Sequence, residues 1–132
     1  YIAHDFSVLF TSALSLWFRP EGLNEAHIHL LMRNFDAMII GALGILPSKV
    51  SSVGKQDKRF YFVYRLLRRI RKAALAAGVS PDMYWLSVCM GLLVNWRIQR
   101  QYEKNEEAAK AMIRAAKWAL VGLMAHTRSV SQ

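Results

Sequence analysis

Lys58, Tyr61, Arg65, Arg68, Arg69 and Lys72 follow one another at helical intervals. At 100° per residue they fall within a sector of about 100° on a helix, opposite Phe60, Val63, Leu66, Leu67, Ile70, Ala74 and Ala77. Like charges one turn apart repel by ~0.2 to 0.5 kcal/mol per pair, and the acid nearest this stripe, Asp57, reaches only its first turn. The chemistry such a stripe offers is anion binding, because an arginine fork grips two phosphate or carboxylate oxygens at once. Arg71 stands at the border and extends the strip to one side. Lys49 and Lys55 precede it in PSKVSSVGKQD, residues 47 to 57. Lys110, Arg114 and Lys117, four and three apart, repeat the pattern more weakly behind Glu106 and Glu107, which neutralise part of it.

These twelve residues form the candidate site, and nucleic-acid phosphates are the anion they fit best. A cationic strip with a neighbouring ring and a basic loop binds the backbone of RNA or DNA with little sequence preference. The alternatives are a helical adaptor that docks an acidic protein or membrane surface through the same face, and an ordinary solvated helix side. Catalysis finds no foothold: the chain has no glycine-rich phosphate loop, no recognisable nucleophile elbow and no obvious pair of acids for general acid/base work. His4, His27, His29 and His126 make no zinc spacing, and no cofactor is expected. Cys89 is the single cysteine and lies in an apolar run, so it reads as a small hydrophobe in a reducing compartment, the cytoplasm.

The elements that hold the stripe must come from 132 residues, 54% of them hydrophobic, enough for one domain with a core of its own. The net charge of +9 is unevenly spread: residues 1 to 46 carry −2, residues 47 to 78 carry +8 and residues 79 to 132 carry +3. The longest stretches without a charge are 13, 12 and 14 residues, short of the ~20 that a membrane-spanning helix needs. The expected fold is an all-α, single-domain bundle of about five helices spanning residues 1 to 132. Asp5 to Phe18 forms the first, stopped by Arg19-Pro20. Asn24 opens the second, closed by Gly41, Gly44 and Pro47. A basic flexible loop follows at 47 to 57. The third helix runs from Lys58 to Ala77 and ends at Gly78. Ser80 caps the fourth, with Pro81 in its first position. Apolar on most of its circumference, that fourth helix reads as the centre of the bundle, with Ser87, Gly91, Asn95 and Gln99 as its narrow wet or close-packed stripe. Asn105 caps the fifth, and His126 to Gln132 fray.

ALAAGVSPDMYWL, residues 74 to 86, resembles the turn of a repressor helix-turn-helix. The helix that would read bases carries Met83, Tyr84, Trp85, Leu86, Val88 and Cys89, side chains suited to burial rather than to base edges. The charge sits on the preceding helix, the reverse of that motif's arrangement. In size and charge the chain is similar to the small helical subunits that line nucleic acid in RNA-guided effector complexes, a likeness of architecture. The expected function is therefore a non-enzymatic accessory subunit of a nucleoprotein complex, in contact with other protein subunits or copies of itself.

Overall fold

A computed structural model describes residues 2 to 16, 25 to 45 and 58 to 131. Within them the chain is an all-α bundle of five helices: α1 (Ile2–Leu16), α2 (Glu25–Leu43), α3 (Lys58–Ala76), α4 (Pro81–Gln101) and α5 (Glu106–Ser131). None of these helices is long and apolar enough to cross a membrane. Lys49, Lys55, the 47 to 57 loop, the Arg19-Pro20 stop and the Asn24 start lie outside the described residues.

The helix ends form where local chemistry places them. Gly44 and Gly78 take positive φ, +67° and +95°. Each is followed by a backbone bond from the next residue to a carbonyl five back: Ile45 to Ile40 at 3.1 Å and Val79 to Ala74 at 3.1 Å. This left-handed glycine cap satisfies carbonyls that the helix leaves open. Ser80 Oγ accepts from the Met83 amide at 3.3 Å and Asn105 Oδ1 from the Ala108 amide at 3.1 Å, so both expected N-caps form. At the other end α5 continues through His126 to Ser131, where fraying was expected. His126 Nδ1 is bonded to Asp82 Oδ1, and its ring stands edge-on to Trp85, contacts between α5 and α4 that hold this turn in place.

The helices stand in a ring. α4 packs against α5 most extensively and against α1 on its other side; α1 in turn meets α3, α3 meets α2, and α2 closes on α5. The core inside contains Phe10, Leu14, Phe35, Met38, Leu67, Tyr84, Val88 and Met112, all fully or almost fully buried. Within the stripe of small residues on α4, Gly91 is a packing point against α1. Gly91 lies against Ser7 and Thr11 of α1, whose hydroxyls bond back to the carbonyls of His4 and Ser7 at 2.8 and 3.0 Å and so enter the contact already satisfied. Cys89 packs on the core edge, and burial pushes its thiol pKa up.

The structure corrects the reading of α4 as the centre of the bundle. α4 is one wall of the ring: Tyr84, Trp85, Val88 and Leu92 point in, whereas Met83, Leu86, Met90, Leu93 and Val94 are exposed. Periodicity could not separate an inner from an outer side, because both are apolar.

Candidate functional site

α3 turns its apolar side, with Phe60, Val63, Tyr64, Leu67, Ile70 and Ala74, into the ring, and presents Lys58, Tyr61, Arg65, Arg68, Arg69 and Lys72 outward, all exposed. The outward set predicted from helical spacing is the one observed; on the other side Tyr64 is buried as well, whereas Leu66 is half-buried and Ala77 exposed. Among the described residues no acidic side chain forms an ion pair with Lys58, Arg65, Arg68, Arg69 or Lys72. Two of the arginines are ordered by rings one turn earlier: the Arg65 guanidinium lies over Tyr61 at 5.7 Å, and that of Arg68 over Tyr64 at 5.6 Å. Such contacts are worth ~0.5 to 1 kcal/mol at exposed sites and leave the guanidinium edges free to bond an anion.

The stripe is divided between two flanks of the helix. On one, Lys58, Arg65 and Arg69 join Tyr61, Phe62 and Leu66 around an open groove of about 380 Å³. Phe62 is 65% exposed and lines the groove beside the three cations. On the other flank Arg68 lies over the ring of Tyr64, which is buried in the core, with Lys72 a turn further along. Phe62 was missed from the sequence, although the wheel places it beside Lys58 and Arg69, because a phenylalanine between Tyr61 and Val63 reads first as core.

Arg71 stands apart. A Cβ on Gly44 would meet its guanidinium, so this side chain is folded over the last turn of α2. A cation there complements the negative end of the helix. Its charge also reaches Tyr84, whose buried hydroxyl has no hydrogen-bond partner among the described residues. Burial drives that phenol well above its ordinary range, with Arg71 opposing. The wheel signal was present: with Tyr64 buried, the core sector of α3 extends past Arg71.

The α5 cations also fall in different places. Arg114 is held by Asp36 of α2, through Nε to Oδ1 at 2.7 Å and Nη2 to Oδ2 at 2.6 Å. The same carboxylate accepts from Trp118 Nε1 at 2.9 Å. Burial pulls the Asp36 pKa up, but the hydrogen bonds from Arg114 and Trp118 and the Arg114 charge outweigh it and hold it below the ordinary carboxylate value. Asp36 in turn raises the pKa of Arg114. This pair spans 78 residues of sequence, a distance at which spacing carries no information. Lys110 and Lys117 are exposed on α5, with no ion pair to Glu106 or Glu107 among the described residues. α5 meets α2, and α2 in turn meets α3.

The cluster that the structure assembles is thus Lys58, Tyr61, Phe62, Arg65 and Arg69 around the groove, with Arg68 and Lys72 beside it. Its residue types are cationic donors beside exposed aromatic rings. No protein-family model, curated protein or solved structure matches this chain.

Proposed function

We propose that the chain is a non-enzymatic, helical nucleic-acid-binding subunit that lays the outer face of α3 along a phosphate backbone, with little sequence preference. The observation that carries this reading is the groove flank of α3: exposed Lys58, Arg65 and Arg69 without acidic partners among the described residues, beside the exposed ring of Phe62. Cations supply affinity through release of counterions. An accessible ring adds base stacking, which single strands offer and duplexes withhold. A reducing cytoplasm suits the lone Cys89 thiol, and other subunits of a nucleoprotein complex are natural partners of a chain this small.

The test is binding of labelled single strands and duplexes across a salt series, comparing the parent with a variant in which Arg65, Arg68, Arg69 and Lys72 are alanine. Loss of four phosphate contacts reduces the log-log salt slope by ~3 to 4 units. An unchanged slope, or no binding at low salt, refutes the reading. Phe62→Ala provides a separate readout, weakening single strands more than duplexes at constant slope.

A further inference from the structure

Tyr61 and Phe62 both line the α3 groove, but they differ in what their rings already hold. Tyr61 carries the Arg65 guanidinium over its ring at 5.7 Å and meets Tyr64, with centroids 6.4 Å apart. Phe62 makes no ring or cation contact among the described residues. It is also the more exposed of the two, at 65% against 36%. On an ideal helix Phe62 lies ~6 Å beyond Lys58, ~4.5 Å before Arg65 and ~10.5 Å before Arg69 along the axis, and within about 60° of all three around it. A bare ring thus stands in the middle of three cations that have no acidic partner among the described residues.

We propose, resting on the nucleic-acid reading above, that the target is a single strand and that the groove seats one of its bases, unstacked from its neighbours, against Phe62. Lys58 on one side and Arg65 and Arg69 on the other hold the phosphates that flank this nucleotide. Three features select this occupant. The groove, at about 380 Å³, is near the small end of the ~300 to 1,000 Å³ range of ligand sites, room for one nucleotide rather than several. The cations complement phosphate, and every base has a π-face for the ring, so the seat is tolerant of sequence. A duplex keeps its bases stacked inside and presents phosphate and sugar to an approaching helix face, and an acidic protein surface presents carboxylates; both meet the cations and leave the ring without a planar partner. From Lys58 to Lys72 the face is ~21 Å long. With phosphates no closer than ~3.4 Å apart along the strand, it covers about four to six nucleotides, near the small end of single-strand site sizes.

The test uses the full chain, fluorescence anisotropy and three labelled probes: a single strand of ~12 nucleotides, longer than the site, an abasic strand with the same phosphates, and the matching duplex. The abasic strand should bind at least ~5-fold more weakly than the complete one, the loss of one stacked base, with the same salt slope. Phe62→Ala should weaken the complete strand by that factor and leave the abasic strand unchanged, so that the two become equal, and Phe62→Trp should restore the difference. The circular dichroism spectrum should stay unchanged in both variants, because Phe62 is exposed in the folded chain. Equal binding of complete and abasic strands by the parent overturns the base seat while leaving backbone binding in place, as does a difference that persists in Phe62→Ala. A duplex bound as tightly as the single strand overturns the choice of target. Displacement of the strand by polyglutamate as readily as by unlabelled strand assigns the groove to an acidic protein surface and overturns the proposal. Absence of binding to every probe at low salt overturns both the base seat and the reading on which it rests.

Discussion

Asp36 joins α2 to α5 through three hydrogen bonds, and replacing it with alanine gives a quantitative test of how the ring is closed. The carboxylate is partly buried and takes both prongs of Arg114 and the indole of Trp118. Arg114 is half-exposed at 49% and recovers water when the carboxylate goes, so the ion pair contributes only ~0.5 to 1 kcal/mol. The Trp118 indole is less accessible, and leaving its N–H without an acceptor costs ~1 to 2 kcal/mol. Together the loss is about 2 kcal/mol, a fall in Tm of ~6 to 10 °C for a chain of this length. Urea unfolding of Asp36→Ala, Arg114→Ala and the double variant separates the two contributions, with an Asp36–Arg114 coupling of ~0.5 to 1 kcal/mol. The effect has a defined pH window. Because the folded pKa of Asp36 lies below its unfolded value near 3.8, the stabilisation is complete above that value and is lost as pH falls through the folded pKa. The difference between parent and Asp36→Ala should therefore be constant from pH 5 to 7 and shrink below about pH 4. Zero coupling, or a difference that grows on acidification, would refute this account of the contact.

Four shorter predictions follow from the same contacts. Gly91→Ala should stabilise by up to ~1 kcal/mol in thermal unfolding, since its added Cβ meets Ser7 and Thr11 at ordinary distances of 3.4 to 3.5 Å and alanine favours the helix. Gly44→Ala should cost ~1 to 3 kcal/mol in the same measurement, because a side chain at φ +67° is strained and must also displace Arg71. Trp85→Phe should cost ~1 to 2 kcal/mol in urea unfolding, as it removes the 2.8 Å bond from the buried Nε1 to the Leu43 carbonyl at the end of α2. In the salt series, Arg68→Ala should lower the slope by ~0.7 to 0.9 units, whereas Arg114→Ala should leave it unchanged because Asp36 already holds that guanidinium.

What could be read early is what depends on near neighbours in the chain. The caps at Ser80 and Asn105, the glycine stops at Gly44 and Gly78 and the split of α3 into two faces each depend on residues within a turn or two. The fourth helix shows the limit of such reading. Its inner and outer sides are both apolar, so hydropathy located the helix and misjudged its place in the ring. Phe62 illustrates the same ambiguity on a smaller scale, a ring whose type says core and whose angle on the helix says surface.

By itself the sequence determined the all-α class, the helix ends at Gly44, Gly78, Ser80 and Asn105 and the exposed cationic side of α3, since a 3.6-residue period and a cap are local properties of a polypeptide. Tertiary packing decided which cations stay available. Arg65, Arg68 and Arg69 keep no acidic partner among the described residues, Arg114 is taken by an aspartate 78 residues away, and Arg71 is folded over the end of α2. The physical reason is that a cation is available only relative to what lies beside it, and in a ring of five helices most of those neighbours come from elsewhere in the chain.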